Sequence, residues 1–125
     1  MVLLIPLRAM VSSLPHVKAL DELEHLLASS HGNPLLLFKH SHTCGISAEA
    51  LDELLSHVEQ DAERVQYAIV TVQTHREVSN AISARLGVRH ETPQAILVRE
   101  GKAVWSASHF RVNAAELKKA IRNHS

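Results

Sequence analysis

The sequence predicts an α/β fold, with a central mixed sheet of four to five strands and helices on both faces. Three observations lead there. Two unbroken apolar runs, Pro34-Leu35-Leu36-Leu37-Phe38 and Tyr67-Ala68-Ile69-Val70-Thr71-Val72, have the character of central strands covered on both sides. Each is followed by apolar residues at helical spacing, and strand–helix–strand units impose right-handed crossovers and parallel pairing. Near the C-terminus, Ala95-Ile96-Leu97-Val98-Arg99 and Ala103-Val104-Trp105-Ser106-Ala107 flank Glu100-Gly101-Lys102, a tight hairpin turn that adds antiparallel strands.

Taken in order, residues 1–11 read as an extra first strand or a loose extension. Val17, Leu20, Leu23, Leu26 and Leu27 then mark a helix that ends before Gly32. After Cys44, the stripe Leu51, Leu54, Leu55 and Val58 marks a second helix. Thr74-His75-Arg76-Glu77 has capping-box spacing with Thr74 as N-cap, opening a helix of Val78, Ile82 and Leu86 that Gly87 stops. Asn113-Ala114-Ala115-Glu116 repeats that spacing before Leu117, Ala120 and Ile121.

The chain of 125 residues is read as a single domain, long enough for a core without disulfides. Thirteen basic residues balance thirteen acidic ones, so no global field draws the protein to nucleic acid or a membrane surface. Aromatic residues make up only 3%, too few for a base-stacking platform. A single cysteine forms no internal disulfide, which favours a reducing compartment, and the cytoplasm is expected. The apolar start, Met1 to Arg8, is short and interrupted by Pro6, unlike a secretory signal or a membrane span. Ten histidines, scattered through helices and loops, make the net charge sensitive to pH near neutrality. The acidic runs Asp21 to Glu24 and Glu49 to Glu53 read as solvated helix faces.

The chemistry concentrates in Lys39-His40-Ser41-His42-Thr43-Cys44-Gly45-Ile46-Ser47, where a strand ends and a helix begins. The unpaired N–H groups and positive end of a helix stabilise a thiolate, and a protonated His40 or His42 nearby would add to this. Gly45 removes side-chain bulk beside the sulfur. Ser47 stands where a dithiol enzyme carries its resolving cysteine; its hydroxyl can hydrogen-bond a thiolate but cannot attack a mixed disulfide. The resolving thiol must then come from outside. The bland alternative is a small buried hydrophobe, a common fate of a lone cysteine. Farther along, Pro93 opens a strand, a position that tolerates its missing N–H. A cis Thr92–Pro93 bond would turn backbone groups toward the cysteine, but only about one X–Pro bond in twenty is cis.

Cysteine after the first central strand and threonine-proline before the hairpin together resemble the thioredoxin superfamily. The closer resemblance is to the monothiol bacilliredoxin family. It rests on Phe38-Lys39-His40-Ser41, Thr43-Cys44, Ile46-Ser47, Val78-Ser79-Asn80-Ala81-Ile82 and Gly87-Val88-Arg89-His90-Glu91. It continues through Pro93-Gln94-Ala95, Gly101-Lys102, Val104-Trp105 and Ala107-Ser108-His109, so it runs from about Leu20 to the C-terminus. The resemblance implies a thioredoxin-like fold and Cys44 as nucleophile, supported by His42, Thr43, Gly45, Ile46 and Ser47. It implies Lys39, His40, Thr92 and cis-Pro93 as the substrate- or thiol-binding set. The implied activity removes bacillithiol from mixed disulfides on cytoplasmic proteins. Bacillithiol is then a co-substrate, no cofactor is bound tightly, and a bacillithiol disulfide reductase completes the cycle. A monomer or weak dimer is expected. Bacillithiol carries a malate group, for which Lys39, Arg89 or His90 is an apt anchor. Taken singly, each reads as solvated surface charge.

The family commonly has proline after the cysteine, where this chain has Gly45. Cys44-Gly45-Ile46-Ser47 thereby approaches the Cys-Gly-Phe-Ser motif of monothiol glutaredoxins, some of which hold an iron–sulfur cluster between two chains. Such a cluster carrier is the second expectation; a redox-inert thioredoxin-like binding module is the third. His40, His42 and Cys44 alternate, but a helix starting at Cys44 breaks the alternation and no fourth ligand is in view, so no metal is expected. Trp105 reads as packing. His109 matches the family's histidine without a role that its position explains.

Overall fold

The structure, a computed structural model, describes residues 14–61 and 65–124. The expected strand or extension at residues 1–11 lies outside them. Its elements are α1 (Leu20–Ser29), β1 (Leu35–His40), α2 (Gly45–Asp61), β2 (Gln66–Thr71), α3 (Arg76–Leu86), β3 (Gln94–Arg99), β4 (Lys102–Ser108), a 3-10 turn (His109–Arg111) and α4 (Ala114–Asn123). The strands form one mixed sheet in the order β2-β1-β3-β4. β1 runs parallel to β2, while β3 is antiparallel to both β1 and β4.

The alternation of side chains along each strand divides the core in two. Leu36, Phe38, Ile69 and Leu97 pack under α2 and α4 with Leu54, Leu117 and Ile121. Leu35, Leu37, Val70, Ile96 and Val98 pack under α1 and α3 with Leu23, Leu27, Val78 and Ile82. Each of β1, β2 and β3 is therefore apolar at successive positions, because both faces meet a helix layer; of the two strands expected at the centre, β2 lies at the sheet's edge. Full burial of one such side chain contributes roughly 1.5–3 kcal/mol.

Two of the expected helix starts move. Val17 is buried, but in an extended segment rather than a helix: its N–H donates to the Ile69 carbonyl at 2.9 Å, and the Ile69 N–H donates to the Pro15 carbonyl at 2.8 Å. This bridge satisfies the outer edge of β2, and α1 begins only at Leu20. The N-cap of α3 is His75 rather than Thr74, and no side chain caps it; the Thr74 hydroxyl meets His75 Nδ1 at 2.8 Å instead. The second capping position holds, with Asn113 Oδ1 accepting from the Glu116 N–H at 2.9 Å. The hairpin turn places Glu100 at φ 52° and Gly101 at φ 74°, the two left-handed residues that a two-residue loop with the twist of its strands requires. Gly87 ends α3 at φ 64°.

Candidate active site

Parallel β1 and β2 deliver their C-terminal ends, and the loops that follow, to the same end of the sheet. Cys44 sits in the first of those loops, directly before α2. Its carbonyl accepts from the Ala48 N–H at 3.1 Å, which makes it the N-cap residue of a 17-residue helix. The thiol is free and partly exposed, at the end where helix dipole and unpaired N–H groups favour negative charge. Gly45 is exposed, and a Cβ built there would meet no atom within 4 Å. Position 45 thus has free space around its Cβ.

Two side chains hold the loop from 40 to 44 in place. Ser47 is fully buried; its hydroxyl accepts from the Ser41 N–H at 3.0 Å and meets His40 Nδ1 at 2.9 Å. That arrangement corrects the expectation of a Ser47–thiolate hydrogen bond: the hydroxyl fixes the loop rather than the sulfur. Gln73, absent from the sequence-based candidates, clamps the same loop from outside. Its Nε2 donates to Ser41 Oγ at 2.6 Å and Thr43 Oγ1 at 3.3 Å, while its Oε1 accepts from the His42 N–H at 3.3 Å. The signal for Gln73 was its place just past β2, the parallel neighbour of β1, at the same sheet end as Cys44.

The two histidines differ. His42 is exposed, with its ring 5.7 Å from that of His40, edge to face. His40 is half-buried, and burial holds its pKa below the usual imidazole range, with His42 and His16 adding smaller effects of the same sign. His40 is thus kept neutral, contrary to its expected part as a cation beside the thiol.

Lys39 departs most from expectation. It is fully buried, not solvated, because its odd position in β1 turns it onto the face that α3 covers. Its ammonium donates to Ser83 Oγ at 2.8 Å and meets His90 Nδ1 at 3.2 Å. Burial lowers its pKa from the ordinary 10.5 to about 8. Lys39 therefore ties β1 to α3 and to the loop that leads into β3, rather than standing free to bind a ligand. Ser79 Oγ and Gln94 Oε1 are buried without a hydrogen-bond partner among the described residues. His90 and Arg89 are exposed.

The Thr92–Pro93 bond is cis. Lys39 pairs with Gln94 across β1 and β3, so Pro93 falls beside His40, where the cysteine loop leaves the sheet. Pro93 is buried, Thr92 half-buried, and the Pro93 carbonyl accepts from the His109 N–H at 3.0 Å. Trp105 packs, half-buried, against the core beneath α2 and α4. Among the described residues, no three His, Cys, Asp or Glu side chains gather as a metal ion requires.

The family model described as monothiol bacilliredoxin BrxC matches residues 16–117. The chain belongs to the monothiol bacilliredoxin family. The fold of this bacilliredoxin is thioredoxin-like. It is similar to a solved chain described as having a thioredoxin fold and provisionally classed as an oxidoreductase, at 27% identity and a TM-score of 0.78, covering 88% of this chain and 95% of that one. Thioredoxin of Fasciola hepatica is similar at 19% identity and a TM-score of 0.74, over 90% of this chain and all of that one. Thioredoxin of Trypanosoma brucei brucei is similar at 15% identity and 0.74, over 96% and 97% of the two chains. The last two likenesses show the fold alone. Family and fold together are those of thiol redox proteins, and this bacilliredoxin has Cys44 as its one thiol. Among its described residues, no helix is long and apolar enough to cross a membrane.

Proposed function

We propose that this bacilliredoxin is a cytoplasmic monothiol oxidoreductase that removes bacillithiol from protein mixed disulfides. The observation that carries the reading is Cys44 itself: a partly exposed thiol at a helix N-cap, with open space at Gly45 and no second thiol in the chain. The Cys44 thiolate attacks the bacillithiol sulfur of the modified protein. A new disulfide forms between Cys44 and bacillithiol, the old one breaks, and the protein leaves as its thiolate. A second bacillithiol thiolate then attacks the bacillithiol sulfur held on Cys44. It releases bacillithiol disulfide and restores the Cys44 thiolate, and a disulfide reductase supplies the electrons that regenerate bacillithiol. In this scheme Thr92, before cis-Pro93, offers its backbone groups to the incoming disulfide, while Ser47 and Gln73 hold the loop.

The test is intact-mass analysis after incubation with bacillithiol disulfide. One added bacillithiol is expected, lost on addition of free bacillithiol and absent in Cys44→Ser. An unmodified wild-type protein whose thiol reacts only after unfolding would overturn the proposal. The cluster-carrier reading predicts a different product: a brown dimer after anaerobic iron–sulfur reconstitution, its visible absorbance lost in Cys44→Ser.

A further inference from the structure

Beside the cysteine helix lies a cleft of about 130 Å³ that the exchange chemistry leaves unused. Ile46, the second residue of α2, forms one wall, and the 3-10 turn forms the other. Its floor is apolar, with buried Ala50 and Val112. Its rim is not: Glu49 and Glu53, one helical turn apart on α2, are both exposed. Among the described residues neither carboxylate has an ion-pair or hydrogen-bond partner. Like charges at that spacing repel. Across the cleft, His109 takes a left-handed backbone at φ 55°, and Phe110 after it is 70% exposed, the most exposed large apolar side chain among the described residues.

The cleft is built on segments that also carry the reaction centre. Ile46 follows Cys44 by two residues, and the His109 N–H is bonded to the carbonyl of cis-Pro93. Its volume is below the several hundred Å³ of small-molecule sites. It holds the end of one side chain rather than a whole low-molecular-weight thiol. An apolar floor, an exposed aromatic ring and two unpaired carboxylates together fit a long cationic side chain, whose stem packs on the floor and whose head meets the rim.

We propose that this cleft receives a lysine or arginine near the modified cysteine of the protein substrate, so that Glu49, Glu53 and Phe110 set a preference for basic surroundings. The proposal rests on the exchange reading above and names its substrate class. It is tested with short peptides carrying bacillithiol on a central cysteine, flanked within three residues by arginine, glutamine or glutamate. The second-order rate of peptide release is measured for each. The arginine peptide should react about tenfold faster than the glutamine peptide at low salt, and the glutamate peptide slowest. In Glu49→Gln/Glu53→Gln that advantage should fall below twofold, and Phe110→Ala should reduce it. Bacillithiol disulfide, which has no flanking side chain to seat in the cleft, should react no more slowly with the variants than with wild type. Equal rates for all three peptides, with bacillithiol disulfide still reacting, would overturn the docking proposal alone. No reaction with bacillithiol disulfide or any peptide would overturn the exchange reading and this proposal with it.

Discussion

Replacing Lys39 by methionine isolates the energetics of the buried cation. In the folded protein its pKa is about 8, against 10.5 for a lysine in water. At about 1.4 kcal/mol per pH unit, that fall is worth about 3 kcal/mol against the ammonium form. The tip reaches toward exposed His90, and solvent screening on that side leaves about 2 kcal/mol. The sign follows from proton counting. Below pH 8 folded and unfolded chains both carry the proton, and the folded state bears the whole penalty. Between pH 8 and 10.5 the unfolded chain binds more protons, so stability rises with pH.

Methionine removes the charge and also two hydrogen bonds, to Ser83 and His90, worth about 1 kcal/mol each. Both former partners retain access to solvent, so neither is stranded. At pH 7 the gain and the loss nearly cancel, and Lys39→Met should lie within about 1 kcal/mol of wild type. By pH 10 the wild type should have gained about 2 kcal/mol over the variant. Urea unfolding at half-unit steps from pH 7 to 10, taken as the difference between the two proteins, cancels the other titrating groups. A flat difference curve would refute the reasoning, because it would mean that Lys39 titrates as a solvated amine.

Three more outcomes follow from the loop around Cys44. His40 has its pKa lowered by burial, so the unfolded chain binds more protons just below pH 6.5 and stability should fall as the solution is acidified through that range. His40→Gln should flatten part of that slope in acid unfolding curves; an unchanged slope would count against a buried neutral imidazole. Ser47→Ala strands the Ser41 N–H and His40 Nδ1, and should cost about 2 kcal/mol in thermal or urea unfolding. Gly45→Pro places proline at the first position of α2, where no N–H bond is lost and no atom lies within reach of the new Cβ. It should raise stability by about 0.4–1 kcal/mol and leave adduct formation at Cys44 intact, whereas a lower melting temperature would contradict the open geometry.

What could be read from the chain depended on whether the deciding interaction was local. Central strands announced themselves by unbroken apolarity, and the cysteine by its place between strand and helix. Gly87 and the Glu100-Gly101 turn were legible because left-handed backbone narrows the choice of residue. Two equal-looking capping boxes behaved differently: Asn113 caps its helix, whereas the loop before α3 runs one residue longer and leaves Thr74 outside. Lys39 was misread for another reason. A lysine at the end of a strand is ordinarily exposed, and only the packing of α3 across that face, with Ser83 set 44 residues away, makes a buried position tolerable. His40 and Ser47 flank the loop that carries the thiol, but seven residues of sequence do not show that they would bond to each other.

The same contacts bear on why one thiol is enough. In a dithiol site the third residue after the nucleophilic cysteine resolves the mixed disulfide; here that residue is Ser47, whose hydroxyl is already engaged with Ser41 and His40. Gln73 holds the opposite side of the loop through three bonds. The segment around Cys44 is therefore fixed by groups that cannot exchange electrons, and the sulfur is partly exposed among them. An adduct formed on it has no internal route to release. Its lifetime is then set by the external thiol concentration, so the rate of adduct loss from wild-type protein should rise linearly with added bacillithiol and extrapolate to zero without it. A finite rate at zero thiol would require a second reductant within the protein, and neither Ser47 nor any other side chain at this site can provide one.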